Sequence, residues 1–256
     1  MTTLNVNEIF GLTVQGEGPS IGQPCAFVRL FQCNLQCTWC DTPYTWAVTE
    51  RKAEQHRDKV QYDKAEQSHA MYPDQIAGKL EAMHWAPGRL PLVVISGGEP
   101  MLQQEGIVEL IQNPFLRQRA IHWEIETAGT IGTRAELAAL ADAGLVRFNV
   151  SPKLVTSGNS YQARRKWPVL EELATFRDTA FKFVVTGEHG MEELSEIDKI
   201  VARVGIRPKN VYLMPEGNTA SHVLVGMSRL VDEAIKRGYN LTTRMHVLIW
   251  GDERGR

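Results

Sequence analysis

Six short apolar runs, most of them separated by helical patterns, limit this chain to an α/β architecture more tightly than any other feature. The runs cover residues 26–31, 92–95, 123–125, 146–150, 181–185 and 211–214. Between them, Ile76, Leu80 and Met83 share one helical face, and Ile107, Leu110 and Ile111 share another. Residues 134–143 are Ala/Leu-rich and end at Gly144, a favourable C-cap. Helices are also expected over 191–204 and 221–237, the second ending at Gly238. Strand–helix units of roughly 25–35 residues imply parallel strands joined by right-handed crossovers. About six units fit, too few for a closed eight-stranded barrel. The predicted fold is therefore an incomplete TIM-like barrel of parallel strands with outer helices, and a doubly wound sheet is the alternative. Either architecture gathers ligands at the carboxyl ends of its strands.

Composition bounds the partners. The chain has 256 residues, 43% hydrophobic and 23% charged, enough for one sizeable core in a soluble globular protein. A formal net charge of -2 with no basic tract offers no bulk attraction to nucleic acid. No apolar run approaches the roughly 20 residues of a membrane span. Residues 1–10 are polar and alternating, without the features of a signal peptide. The expectation is a cytoplasmic protein with neither nucleic acid nor membrane as partner. One domain over 1–256 is expected, with a charged variable insertion around 48–72. Within it, residues 49–67 are densely charged and read as a solvated helix or mobile insertion.

Three of the four cysteines, Cys33, Cys37 and Cys40, form a C-x₃-C-x₂-C run just after the first apolar run. Such clustering argues for metal ligation in a reducing compartment rather than for disulfides. A loop with these spacings can converge three thiolates on one [4Fe–4S] cube and leave one iron without a protein donor. The alternative is structural zinc with His69 or His84 as fourth ligand, but zinc sites usually use two separated pairs, and no second pair exists here. Cys25 lies in an apolar stretch and reads as a small buried hydrophobe. Ser96-Gly97-Gly98-Glu99-Pro100 follows the second run, where glycines permit close backbone approach to a ligand.

Together the cysteine run and the Gly-Gly-Glu turn resemble the radical S-adenosylmethionine superfamily. Further residues narrow the resemblance: Glu8-Ile9-Phe10, Val14-Gln15-Gly16-Glu17-Gly18-Pro19, Phe27-Val28-Arg29-Leu30, Cys40-Asp41-Thr42, Ile125-Glu126-Thr127, Val150-Ser151-Pro152-Lys153 and Lys182-Phe183-Val184-Val185. As a set they are similar to the 7-carboxy-7-deazaguanine synthase family. That resemblance implies conversion of 6-carboxy-5,6,7,8-tetrahydropterin to 7-carboxy-7-deazaguanine with release of ammonia, in queuosine and deazapurine biosynthesis. The implied chemistry is a cluster-initiated, Mg²⁺-assisted radical ring contraction that regenerates S-adenosylmethionine.

The resemblance also implies roles. Cys33, Cys37 and Cys40 would hold the cluster and Thr42 the Mg²⁺. Trp39, Asp41, Gly98, Thr127, Ser151, Pro152 and Lys153 would face S-adenosylmethionine. Val14, Gln15, Gly16, Glu17, Arg29, Ser96 and Glu126 would face the pterin, although which of Glu126 and Thr127 meets which ligand stays open. An electron donor such as flavodoxin and a homodimer are implied as partners. The residue chemistry suits these roles: Arg29 offers a planar fork to a carboxylate. The Gln15–Glu17 turn can meet a donor-rich pterin edge. Thr42 is a hard oxygen suited to Mg²⁺, although by itself it reads as a turn residue beside Pro43.

Two other readings use the same cysteines. A glycyl-radical-enzyme activase shares their spacing but acts on a backbone glycine, so it needs neither a pterin pocket nor Mg²⁺. A non-catalytic zinc or iron–sulfur module would leave Gly97-Gly98-Glu99 without a use. Near the C-terminus, residues 244–251 read as a last apolar strand, in which His246 is either a structural histidine or a ligand.

Overall fold

A computed structural model describes residues 2–83, 85, 92–187 and 191–256. His84, one of the two zinc-ligand candidates, lies outside the described residues. The elements run β1 (Leu4–Val14), β2 (Pro24–Leu30), α1 (Glu50–Ala53), α2 (Lys64–Gln67), β3 (His69–Met71), α3 (Pro73–Glu81) and β4 (Leu92–Gly97). There follow α4 (Gln104–Ile111), α5 (Pro114–Arg117), β5 (His122–Thr127), α6 (Ala135–Asp142), β6 (Val146–Val150), α7 (Tyr161–Arg164) and α8 (Trp167–Thr175). The chain closes with β7 (Ala180–Val185), α9 (Met191–Val204), β8 (Val211–Pro215), α10 (Ala220–Arg237), β9 (Asn240–Leu241) and α11 (Met245–Trp250).

All the strands join one sheet in the order β3-β1-β2-β4-β5-β6-β7-β8-β9. From β2 onward every neighbouring pair is parallel, whereas β1 runs antiparallel to β2 and β3. The two ends of the sheet do not meet, so the architecture is an open partial barrel. All six predicted runs are strands. The expectation that fails is the C-terminal strand: Met245–Trp250 is the helix α11. Short apolar runs suit either state, and here the segment packs beside α10 rather than extending the sheet, with Val247 its buried anchor.

Strand alternation divides the side chains between two environments. Trp123, Ile125, Phe148, Phe181, Phe183 and Leu213 face the helices and join one large core. On the concave side, Cys25, Phe27, Leu92 and Val94 make a small apolar floor, with Phe10 stacked on Phe27 at 4.9 Å between centroids. Beyond that floor the concave side turns polar. The helices follow their sequence signals: α9 buries Leu194, Ile197, Ile200 and Val201 along one stripe. Thr219 caps α10 by accepting from the His222 amide, and Gly238 ends it at φ 67.

The charged stretch over 49–67 carries α1 and α2 and is tied to the cysteine loop. His56 in it is 2% exposed, and its Nε2 donates to the Cys40 carbonyl at 2.8 Å while Nδ1 accepts from the Asp58 amide.

Candidate active site

β2 leads through Gln32, a non-glycine residue at φ 84, into the cysteine loop. Each cysteine sulfur there accepts an N–H. Leu35 N donates to Cys33 at 3.4 Å, Asn159 Nδ2 to Cys37 at 3.3 Å and Trp46 Nε1 to Cys40 at 3.3 Å. Donors aimed at sulfur stabilise thiolates bound to iron and tune the cluster they hold. Burial pushes all three thiols up, Cys37 to about 12. The chain alone therefore keeps them protonated, and a bound cationic centre would draw out the thiolates. Among the described residues no group of three His, Cys, Asp or Glu side chains is arranged for a single metal ion; a cube spreads its ligands more widely than one ion does. The zinc alternative also lacks its fourth ligand in His69, which is exposed on β3 in the pair with Val6.

The Gly-Gly-Glu turn interlocks with this loop. Gly98 N donates to Leu30 O at 3.0 Å and Glu99 N to Gln32 O at 2.8 Å. A Cβ at Gly98 would lie 2.0 Å from Gln32 O, and one at Gly97 would lie 2.1 Å from Leu30 O, so only glycine fits. Glu99 is fully buried and accepts from Met101 N, Ala128 N and Thr127 Oγ1. Burial pushes its pKa up despite those donors. Beside them, Lys153 Nζ donates to Ser151 Oγ at 3.0 Å and sits 5.6 Å from the Trp39 ring centroid. Trp39 Nε1 donates to Thr156 O.

A cavity of about 350 Å³ joins these groups to the polar side of the barrel. Its wall includes the three cysteines, Trp39, Asp41, Thr42, Gly98, Thr127, Ser151 and Lys153. It also includes Val14, Gln15, Gly16, Glu17, Arg29, Ser96 and Glu126. Of the expected site residues, Pro152 alone does not line it. Alternation on β5 separates the two neighbours: Glu126 turns to the concave side, where Ser96 Oγ donates to it at 2.6 Å, and Thr127 turns to Glu99. Gln15 Nε2 donates to Glu124 at 3.0 Å and to Glu126 at 3.2 Å. Arg29 Nε donates to Glu8 at 2.7 Å. Thr42 Oγ1 lies 3.6 Å from Cys40 Sγ.

Sequence reasoning named Glu17 and Asp41 but gave no role to the cations that hold them. Lys182 on β7 and Arg244 both hold Glu17, and although burial opposes them they keep its pKa far below the usual carboxylate range. Arg244 also pairs with Asp41, which turns Asp41 toward Glu17. His246 completes the group, 3.9 Å from Glu17. A Cβ on Gly16 would meet its Nδ1 at 2.1 Å. The signal that could have found Lys182 and Glu124 is their alternation with apolar neighbours, since parallel strands buried on both faces are apolar throughout.

The radical SAM superfamily model matches residues 29–224. The 7-carboxy-7-deazaguanine synthase of Pyrobaculum aerophilum is 30% identical over 255 residues, 99% of this chain and 97% of the relative. The chain belongs to that family. The synthase of Rhodopirellula baltica is 32% identical, over 99% of this chain and 89% of the relative. The fold likewise matches the crystal structure of QueE from Escherichia coli, with a TM-score of 0.63 at 22% identity over 95% of both chains. As a radical SAM enzyme of the 7-carboxy-7-deazaguanine synthase family, the chain uses a [4Fe–4S] cluster, S-adenosylmethionine and Mg²⁺. The residues present fit them: three cysteines each with an N–H donor, a glycine turn locked against their loop, and a buried threonine hydroxyl beside the third cysteine.

Proposed function

We propose that this chain converts 6-carboxy-5,6,7,8-tetrahydropterin to 7-carboxy-7-deazaguanine with release of ammonia, a step of queuosine and deazapurine biosynthesis. The observation that carries this reading is the single cavity that joins the cysteine loop to Gln15, Arg29, Ser96, Glu126 and Lys182. A planar, anionic, donor-rich substrate needs such a wall. A glycyl-radical activase, whose substrate is a protein backbone, does not.

In this reading Cys33, Cys37 and Cys40 hold the cluster, while Gly98, Ser151 and Lys153 with Trp39 and Thr127 receive S-adenosylmethionine. When bound, the cluster and S-adenosylmethionine supply a carbon radical that abstracts hydrogen, and Mg²⁺ supplies a Lewis acid for the substrate carboxylate. The chain's own residues bind and orient. Arg29 stays charged, with Glu8 fixing its Nε, and meets the carboxylate with its remaining N–H groups. Thr42 offers its hydroxyl to Mg²⁺. Glu126, whose pKa burial pushes up, holds a proton more readily than an ordinary carboxyl and faces the N–H edge of the pterin together with Gln15. Lys182 and Arg244 keep Glu17 an acceptor at all working pH values.

We also assign the chain one domain, a cytoplasmic location, a flavodoxin-type electron donor and a homodimeric state. Among the described residues no helix is long and apolar enough to cross a membrane. Anaerobically reconstituted protein, given reductant, S-adenosylmethionine and the carboxylated tetrahydropterin, should yield 7-carboxy-7-deazaguanine by mass spectrometry. Cleavage of S-adenosylmethionine with the pterin left intact would overturn the substrate assignment.

A further inference from the structure

Trp46 ends the short turn Pro43–Thr45 that follows the third cysteine, and it is 2% exposed. Its Nε1 donates to Cys40 Sγ at 3.3 Å and, among the described residues, has no second acceptor. The other two cysteines are served by weaker claims. Asn159 Nδ2 divides itself between Cys37 Sγ at 3.3 Å, Ser157 Oγ at 3.3 Å and Ser157 O at 3.4 Å. Cys33 receives a backbone amide, that of Leu35, at 3.4 Å. An undivided donor in a buried, weakly screened position acts most strongly on the charge it faces.

The indole is held from two sides. The Trp46 amide donates to Pro43 O at 3.0 Å, and the ring meets His56 edge-on, with 6.2 Å between centroids and 71° between planes. His56 is itself fixed. Asp58 N donates to its Nδ1 at 3.2 Å, which leaves the proton on Nε2, and Nε2 donates to Cys40 O at 2.8 Å. One histidine therefore grips both the carbonyl of the third cysteine and the ring whose N–H meets its sulfur. Backbone bonds brace it on each side, from Arg57 N to Thr38 O at 2.9 Å and from Tyr62 N to Ala47 O at 3.0 Å. The charged stretch over 49–67 is thereby clamped to the third cysteine.

We propose that Trp46 raises the reduction potential of the cluster through Cys40, and that His56 is the positioning residue that keeps the Trp46 N–H on the sulfur. The inference rests on the reading that Cys33, Cys37 and Cys40 hold the cluster. One-electron reduction adds negative charge to the iron, sulfide and thiolate together, and an N–H aimed at a thiolate stabilises the more negative state. Both residues act on the cluster through Cys40, so a potential reads them directly and a merely structural role would not move it.

The test is an EPR-monitored redox titration of the reconstituted enzyme, normalised to bound iron. Trp46→Phe keeps an aromatic body and removes the donor. At a fixed solution potential its ratio of reduced to oxidised cluster should fall about threefold or more, a downward shift of about 28 mV for one electron. His56→Leu should shift the midpoint in the same direction. His56→Gln, whose amide offers a donor and an acceptor in the same order, should restore the parental value. If Trp46→Phe takes up no iron, an otherwise unaltered donor decides: Trp39→Phe protein grown with nitrogen-15-indole tryptophan should show a coupled nitrogen-15 in the pulsed-EPR spectrum of the reduced cluster. A parental midpoint in Trp46→Phe, or no such coupling, overturns the role of Trp46. A parental midpoint in His56→Leu, or one in His56→Gln as low as in His56→Leu, overturns the role of His56. A parent without a [4Fe–4S] signal overturns the cluster reading itself, and this proposal with it.

Discussion

Arg244 Nε donates to Glu17 Oε1 across 3.0 Å, joining residues 227 positions apart. The same guanidinium donates to the Gly217 carbonyl at 2.6 Å and pairs with Asp41. It therefore ties together the loop after β1, the residue beside the third cysteine and the segment leading into α11. Its side chain is 6% exposed, so solvent cannot replace these contacts.

Arg244→Ala should destabilise the fold by about 3–5 kcal/mol, the usual cost of stranding a buried charge, as read from the denaturant midpoint. Arg244→Lys keeps the charge but not the fork, and should lose less stability while still raising KM for the pterin. A stable Arg244→Ala protein with parental KM would show that Lys182 alone positions Glu17.

Two acid windows should be separable. Burial lowers the His246 pKa below its ordinary 6.5, against the pull of Glu17. The unfolded chain then binds that proton first, so stability is full above pH 6.5 and declines as pH falls below it. Glu17 acts lower, because its folded pKa lies beneath the ordinary 4.5. Its contribution is full above that value and is lost as pH falls through the folded pKa. His246→Gln should flatten the stability profile just below pH 6.5 and leave the loss below about pH 4.5 in place. Chemical denaturation at stepped pH measures both; an unchanged upper window would mean His246 is charged in the folded state.

Reconstituted protein should hold close to four irons and four sulfides per chain. Cys33→Ala, Cys37→Ala or Cys40→Ala should abolish assembly. Cys25 is fully buried in the apolar floor with Phe27, Leu92 and Val94, so Cys25→Ala should keep the cluster at a stability cost of roughly 1 kcal/mol. Iron analysis and unfolding curves decide; one zinc and no iron would refute the cluster assignment.

Thr42 is 8% exposed, and its backbone carbonyl accepts from Thr45 Oγ1 at 2.8 Å, which holds the turn while leaving the side chain in the cavity wall. Thr42→Val keeps the β-branched shape and removes the oxygen, so product formation should lose much of its Mg²⁺ response. Thr42→Ser should keep most of it. Because water can fill one of about six positions, partial activity should remain in Thr42→Val. An identical Mg²⁺ titration in parent and Thr42→Val would reduce Thr42 to a turn residue.

The cluster end of the site was legible because its residues are local. Cys33, Cys37 and Cys40 lie in one loop, and the Gly97-Gly98-Glu99 turn announces itself by glycine. β1 was not among the predicted runs because its apolar residues alternate with polar ones instead of forming a continuous run, although it pairs with both β2 and β3. The charged stretch over 49–67 hid His56, since one buried histidine leaves no periodic trace among solvated charges.

Periodicity and spacing alone determined the parallel α/β order, the six core strands and a cysteine loop at a strand's carboxyl end, because each depends on neighbours within one loop or one strand–helix unit. Only the tertiary structure decided that Met245–Trp250 is a helix, that Glu126 and Thr127 face opposite sides, and that Lys182, Arg244 and His246 converge on Glu17. Those contacts span up to 227 residues. Charge complementarity over such distances depends on which side chains the closed fold buries together, and no local pattern encodes that.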